Sequence, residues 1–143
     1  MEDREYKKAW LHRYINSQQI ERNLVLQLEE LRSEAERITP LLSLVPGGAG
    51  GDGDRVQRTV EKIEDTRQKL TKTIAQGLID RLEIASAINQ EHDAQRHEIL
   101  TRRYLQGQKW EDIAADMHVT TSCLFKLHVC ALDDLDIRYP ENT

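Results

Sequence analysis

The chain has 143 residues, of which 31% are charged and 5% aromatic, and its net charge is -5. This composition is typical of chains rich in surface helix and indicates little β-structure, and the negative charge excludes a polycation that attracts nucleic acid by charge alone. No apolar run approaches the roughly 20 residues that span a bilayer, and the N-terminal MEDREYKK lacks the apolar segment of a signal peptide, so we expect a cytoplasmic protein without a membrane partner.

The first predicted element is one continuous helix over residues 5–39. This segment contains no Gly or Pro and is rich in Leu, Glu, Gln and Arg, which favour helix. Its apolar positions follow the alternating four and three spacing of a heptad seam: Trp10, Tyr14, Leu24, Leu28, Leu31, Ala35 and Ile38. Ser17 and Glu21 fall where the same register requires apolar residues. Such polar positions either fix register or oligomeric state, or mark where the helix leaves its partner.

Pro40 is predicted to end this helix, and residues 46–54, PGGAGGDGD, are predicted to form a flexible loop. A phosphate-binding role for these glycines is rejected, because no Gly-Lys-Ser or Gly-Lys-Thr ends the segment and no strand leads into it.

A second long helix is predicted over residues 55–89. Its apolar positions form a drifting stripe: Val56, Val60, Ile63, Leu70, Ile74, Leu78, Leu82, Ala85 and Ile88. Two long helices joined by a flexible loop indicate an antiparallel, coiled-coil-like hairpin. Because such a hairpin has little interior, part of its seam should pack against another chain, which predicts a homo-oligomer.

The next predicted helix begins at Asp93, a candidate N-cap, and ends at Gly107, which is placed to adopt the left-handed conformation. Residues 110–117, WEDIAADM, place apolar side chains at i, i+3, i+4 and i+7 and predict a short helix. Thr120 then offers a hydroxyl N-cap for a last helix. The expected core of this three-helix unit is Ile99, Leu100, Tyr104, Trp110, Ile113, Ala114, Leu124, Leu127, Ala131 and Leu132.

Two short helices joined by a tight turn, the second capped by a hydroxyl residue, have the geometry of a helix-turn-helix that places its second helix in the major groove of DNA. A helical hairpin that only packs is the structural alternative.

Cysteines and histidines give no sign of a metal site or an enzyme. Cys123 and Cys130 lie about 10 Å apart on one predicted helix and cannot form a disulfide with each other, so reduced thiols are expected. Neither the spacing nor the number of nearby histidines matches a zinc site, so we expect no metal and no cofactor. No paired carboxylates and no nucleophile–base spacing stand out, so we expect no enzymatic activity.

The residues from Arg103 onward resemble a known family. The spacing of Arg103-Tyr104, Gly107, WEDIA at 110–114, Thr120, Leu124, FKLH at 125–128, Ala131-Leu132 and Leu135 is similar to region four of bacterial sigma factors. It resembles more closely the small phage-encoded proteins that carry such a region, the group that includes ArpU- and RinA-like late-gene regulators. Residues 5–39 are similar to the N-terminal half of those proteins, so the resemblance covers nearly the whole chain outside the glycine loop.

Together these patterns predict an all-α fold. A long antiparallel, coiled-coil-like hairpin over residues 1–90, with its flexible loop at 46–54, precedes a three-helix, sigma-region-four-like helix-turn-helix domain over residues 91–143.

The resemblance implies a phage or prophage transcriptional regulator in the bacterial host cytoplasm. It binds double-stranded DNA through the second helix of the motif, and RNA polymerase is a further partner compatible with the resemblance. Carried over by position, the residues that face the DNA groove are Thr120, Thr121, Ser122, Phe125 and Lys126, and those that reach phosphates are Arg102, Arg103 and Lys109. Hydroxyls can bond base edges, a phenyl ring can contact a thymine methyl, and an ammonium can meet guanine or phosphate.

The chain also departs from the family pattern. Relatives often carry arginine or glutamine in the first turn of the recognition helix, where this chain has Thr121, Ser122 and Cys123, and the usual glycine of the turn is His118. Residues 93–132 carry five basic and five acidic side chains. A neutral module indicates that DNA affinity depends on dimerisation or on a protein partner. The alternative function is therefore a protein-interaction module that engages RNA polymerase or another regulator with little direct DNA binding.

Overall fold

In a computed structural model, residues 2–44 and 50–137 are described, with side chains placed for residues 3–38 and 53–137. All regular secondary structure in the described part of the chain is helical and none of it is strand, which confirms the all-α prediction. Its helices are α1 (Glu2–Leu11), α2 (Arg13–Leu44), α3 (Gly50–Ile88), α4 (Ala94–Leu100) continued by a π-helical turn (Thr101–Leu105), α5 (Trp110–Asp116) and α6 (Thr121–Asp134). None of these helices, over the residues described, is long and apolar enough to cross a membrane.

The chain divides into two compact units. Unit 1 combines Met1–Asn16 with Gly77–Thr143, and unit 2 is Ser17–Gln76. The first 16 residues, which the sequence assigned to the long hairpin, thus group by contacts with the C-terminal helices. The boundary between residues 90 and 91 stays a prediction.

The first long helix is interrupted at His12, so the prediction of one continuous helix over residues 5–39 is wrong at this residue. Backbone bonding continues on both sides, because the His12 N–H donates to the Lys8 carbonyl at 2.9 Å and its carbonyl accepts from Asn16 at 3.0 Å. The Arg13 side chain donates through Nε to the Trp10 carbonyl at 2.9 Å. A side chain that takes a carbonyl of the helical ladder is a known cause of a local break.

Two further boundary predictions are corrected. Pro40 does not end the helix, because α2 continues to Leu44; a proline removes one backbone donor, and a long helix can continue past it with that loss. The flexible-loop prediction is wrong for residues 50–54, because α3 begins at Gly50. Each residue added to an existing helix gains one hydrogen bond, so a long helix can incorporate adjoining glycines. Residues 46–49 of the predicted loop lie outside the described residues.

In unit 2, α2 buries the seam that the sequence predicted. Leu24, Leu28 and Ile38 are buried, and the polar positions Ser17 and Glu21 are half-buried in the same register. The Ser17 hydroxyl donates to the Thr73 carbonyl of α3 at 3.1 Å. This polar position of the seam is therefore satisfied by the neighbouring helix.

The seam of α3 differs from the predicted stripe. Val60 and Ile74 are exposed, whereas Thr59 and Thr66 are buried. The hydroxyl of the buried Thr59 donates to the carbonyl four residues earlier at 2.9 Å. A threonine whose hydroxyl is satisfied within its own helix can pack like a small apolar residue, so a hydrophobicity pattern misses it.

Two contacts within unit 2 join its helices in reverse chain order. Ser17, early in α2, lies against Thr73 of α3, whereas Glu34, later in α2, lies 3.6 Å from Arg55, near the start of α3.

The core of unit 1 consists of two buried clusters. All ten residues of the predicted three-helix core belong to one or the other, with Trp110 and Leu127 only partly buried at the edge. The sequence did not predict that this core also contains Leu11 of α1 and Ile84 and Ile88 of α3, all fully buried. The N-terminal helix is therefore part of the same core as α4 and α6.

Candidate nucleic-acid interface

The entry into the candidate interface is shaped by α4 and its π-helical continuation. The Asp93 carboxylate accepts from the Arg96 N–H at 2.9 Å, which confirms the predicted N-cap. The helical segment ends at Leu105, and Gly107, two residues later, has a φ of 69°, which confirms the predicted left-handed residue. The π turn was not predicted; in it the Gln106 N–H donates to the Thr101 carbonyl, five residues earlier, at 3.0 Å. This turn carries Arg102 and Arg103, two of the predicted phosphate contacts.

Four residues, 117–120, connect α5 to α6. His118 adopts the left-handed conformation with φ 58°, at the position where the family pattern has glycine. Its N–H donates to the Ala115 carbonyl at 3.2 Å, and the Val119 N–H donates to the Ala114 carbonyl at 3.0 Å. These are the two bonds of a Schellman motif, which closes a helix and reverses the chain. Val119 then packs against the core cluster of α5 and α6.

Thr120 is the N-cap of α6, as predicted. Its side-chain oxygen accepts from the Cys123 N–H at 3.1 Å, and its carbonyl accepts from the Leu124 N–H at 2.9 Å. The oxygen that the sequence assigned to the DNA groove is thus already used to hold the first turn of α6. Thr121 and Ser122, the next two predicted contacts, are exposed on that turn.

The second exposed turn of α6 carries Phe125 and Lys126. Phe125 is 46% exposed and packs edge-to-face against Trp110, with ring centroids 5.5 Å apart. Lys126 is exposed and, among the described residues, forms no ion pair. The first two turns of α6 therefore present hydroxyls, a phenyl ring and an ammonium to solvent.

The three predicted phosphate contacts differ in their surroundings. Arg102 forms ion pairs with Glu98 at 2.9 Å and Asp116 at 3.1 Å, so its charge is balanced within the unit. Arg103 donates to the Gln108 carbonyl at 3.0 Å and lies over the Trp110 ring at 4.5 Å.

Lys109 is exposed at the start of α5. Arg103 and Lys109, unlike Arg102, have no carboxylate partner in the described part of the chain.

The acidic end of α6 is paired with basic side chains that the sequence did not place there. Arg4 of α1 forms a two-pronged hydrogen bond with Asp133 at 2.8 and 2.9 Å, and this contact lowers the pKa of the Asp133 carboxyl. Arg96 of α4 pairs with Asp134. Lys7 donates to the carbonyl of Leu132 at 2.7 Å. Much of the negative charge that follows the predicted DNA contacts is therefore compensated.

A buried polar pair lies beneath the exposed turns. The Tyr104 hydroxyl and His128 Nε2 are 2.7 Å apart, and His128 is 4% exposed. Burial lowers the pKa of His128 to about 4, with smaller contributions from Lys8 and Arg103, and burial raises the pKa of Tyr104. The sequence pattern did not single out His128 as a buried, hydrogen-bonded histidine. The available signal was its position four residues after Leu124, on the buried stripe of α6.

Cys123 and Cys130 are free thiols, and both are exposed on α6. No group of three His, Cys, Asp or Glu side chains in the described chain is arranged to hold a metal ion.

Comparison of the chain with protein family models, with curated proteins and with solved structures finds no match. The similarity to sigma region four and to the phage regulators stays a prediction from residue spacing.

Proposed function

We propose that the protein is a transcriptional regulator of the phage or prophage type that binds double-stranded DNA through a helix-turn-helix formed by α5 and α6. The observation that carries this proposal is the N-terminal half of α6, which follows a Schellman turn, is capped by Thr120 and exposes Thr121, Ser122 and Lys126 together. In helix-turn-helix proteins the N-terminal residues of the second helix contact base edges.

The charges around α6 support a modest affinity for DNA. Lys126, Lys109 and Arg103 have no carboxylate partner among the described residues, whereas Asp133 is held by Arg4. Lys109 and Arg103 are suited to phosphate contacts, which position a protein on DNA without reading sequence. Three such cations are few compared with the six to ten phosphate contacts of strong binders, so a second copy would add needed affinity.

We place oligomerisation in the long helices. The opposed contacts of Ser17 with Thr73 and of Glu34 with Arg55 fit an antiparallel, coiled-coil-like hairpin. Several apolar side chains remain exposed on its helices: Ile20, Val25, Leu26, Val60 and Ile74. Their burial against a second chain would give a homo-oligomer with two DNA-binding modules, matching two half-sites.

The test is selection from a random duplex library by the full chain at low salt, followed by measured affinity for the enriched sequence. We expect one motif to be enriched, and we expect combined Thr121→Ala, Ser122→Ala and Lys126→Ala substitutions to weaken binding to it at least tenfold. Combined Ser86→Ala and Lys72→Ala substitutions, at exposed positions on α3, serve as a matched control and should leave affinity unchanged. Absence of any enriched motif contradicts the proposal.

The second candidate is a protein-interaction module that contacts RNA polymerase or another regulator. The ion pairs of Arg102 with Glu98 and Asp116 favour it, because this predicted phosphate contact is already engaged within the unit. Binding of the full chain to purified bacterial RNA polymerase, without retention of any duplex at low salt, would select this candidate over DNA binding. In either case we place the activity in the cytoplasm of the bacterial host.

A further inference from the structure

A groove of about 530 Å³ opens on unit 1 between α1 and α6. Lys8 and His12 line it on one side, Trp110 and Phe125 line it on another, and the buried Tyr104 and His128 also reach it. Its volume falls in the range of small-molecule sites, and its lining combines apolar rings with a few polar groups, as such sites do.

The hydrogen bond to Tyr104 favours one position for the proton on the neutral His128 ring. If the Tyr104 hydroxyl donates to Nε2, both of those groups are satisfied, and the neutral ring carries its proton on Nδ1. If Nε2 donated instead, the buried hydroxyl proton of Tyr104 would have no acceptor and Nδ1 would be a second unmatched group. The first arrangement leaves fewer unpaired polar groups and is therefore preferred.

His128 Nδ1 then presents an N–H that has no partner in the described part of the chain. Among fully buried side-chain nitrogens and oxygens described, Thr101 Oγ1 is the one without a partner, so Nδ1 keeps access to the groove that His128 lines. A hydrogen-bond donor without an acceptor is unusual on a side chain that is only 4% exposed.

The groove also holds a positive charge that nothing on its lining balances. Lys8 is paired with Glu5 at 3.2 Å, so these two charges offset each other. Arg103 lies over the Trp110 ring and uses one nitrogen for the Gln108 carbonyl, and in the described chain it has no carboxylate partner. Its remaining N–H groups are free to meet an acceptor.

We infer that this groove binds a small organic carboxylate with a flat apolar body. The carboxylate pairs with the Arg103 guanidinium, the ligand accepts the N–H of His128 Nδ1, and its apolar body lies against Trp110 and Phe125. A guanidinium fork fits the two oxygens of a carboxylate. A DNA phosphate would match the charge but would leave the aromatic lining without a partner. This site goes beyond the proposed DNA binding; it shares Arg103 with the proposed phosphate contacts, and its test is carried out without DNA.

The test uses the full chain labelled with ¹⁵N and titrated with benzoate and 2-naphthoate. We expect saturable chemical-shift changes at the Trp110 indole N–H, at Arg103 and at His128. Benzyl alcohol, which has the ring without the charge, and inorganic phosphate, which has charge without a ring, should each bind at least tenfold more weakly.

Two variants test separately the charge of Arg103 and the open volume of the groove. Arg103→Gln should weaken benzoate binding about 10- to 100-fold, the range expected when a charged hydrogen bond is lost. Arg67→Gln, at an exposed arginine of α3, removes the same charge at a residue that does not line the groove and should leave benzoate binding unchanged. Val129→Phe keeps every charge and fills the groove, so it should also abolish binding.

The inference is overturned if neither carboxylate gives saturable shifts up to 50 mM, or if phosphate binds as well as benzoate, which would indicate a generic anion or DNA-backbone site. Unchanged benzoate affinity in folded Arg103→Gln or in Val129→Phe would overturn it as well.

Discussion

His118 occupies the left-handed turn between α5 and α6, whereas His128, on the buried face of α6, is hydrogen-bonded to Tyr104. The first lies where the sigma-region-four pattern that the chain resembles has a glycine, the residue that favours the left-handed conformation of a Schellman turn. The partner of the second could not be predicted, because Tyr104 lies 24 residues earlier and reaches His128 only once α4 packs on α6. Local backbone roles were therefore predictable, and the buried pair was not.

At His118 we predict that His118→Gly stabilises the protein. The left-handed conformation is unfavourable for a residue with a Cβ and free of that cost for glycine. The free energy of unfolding should rise by about 0.5–1 kcal/mol in chemical denaturation. His92→Gly is the matched control. Because the φ of His92 is not positive, glycine relieves no strain there and only increases the conformational entropy of the unfolded chain, so this substitution should lower stability. A loss of stability in His118→Gly would contradict the assignment of this turn.

Stability should also fall in mild acid because of His128. The pKa of this histidine is about 4 in the folded protein and 6.5 in the unfolded chain, so protons bind the unfolded state first. Its contribution is complete above pH 6.5 and is lost as the pH falls through about 4. The loss from this group should approach roughly 3 kcal/mol.

The measurement is the free energy of unfolding between pH 7.5 and 4 for the natural protein and for His128→Leu, which cannot take up a proton. The variant should lose distinctly less stability over this range. Identical pH dependence in both proteins would show that His128 is not buried as a neutral ring.

Among the elements, α6 depends on a single side-chain cap at its N-terminus. Thr120→Ala removes the oxygen that accepts the Cys123 N–H and should lower the free energy of unfolding by about 1 kcal/mol. Thr121→Ala, one residue later at an exposed helical position, should change it by less than about 0.5 kcal/mol. Equal effects of the two substitutions in thermal or chemical unfolding would be inconsistent with the cap.

The long helices show why some elements were predicted and others were not. The seam of α2 could be predicted because leucine and isoleucine mark it directly. The seam of α3 could not, because Thr59 is buried there with its hydroxyl bonded to its own helix, and a scale of side-chain polarity assigns threonine to solvent. The end of α2 was also misplaced, since the proline rule describes a cost that a long helix can absorb.

For the whole molecule, α1 shares one core with α4 and α6. Leu11 of α1 is fully buried with Leu132 and Leu135, and Arg4 and Lys7 bond to the end of α6. Sequence periodicity reports which face of a helix is apolar and not which distant helix covers it. The apolar periodicity of the sequence therefore could not predict where α1 packs.

This shared core predicts that a change in α1 destabilises α6. Leu11→Ala should reduce the exchange protection of the Leu124 and Leu132 amides by about 3 kcal/mol, because it leaves a cavity in the core of unit 1. Leu26→Ala, at a leucine of α2 that is 57% exposed, should change the protection of the same two α6 amides by less than about 0.5 kcal/mol. Unchanged exchange of α6 in Leu11→Ala would contradict the common core.

The proposed contact of the N-terminal half of α6 with DNA can be tested with two cysteines that α6 already carries. Cys123 lies in the exposed first turns of α6, and Cys130 is exposed seven residues later, about 10 Å along the helix. The measurement is the rate of alkylation of each thiol by iodoacetamide, with and without a saturating amount of the selected duplex. We predict that DNA slows the reaction of Cys123 at least tenfold and that of Cys130 much less. If duplex is bound while Cys123 reacts at its free rate, or if Cys130 is the better protected thiol, α6 does not read DNA in the way proposed.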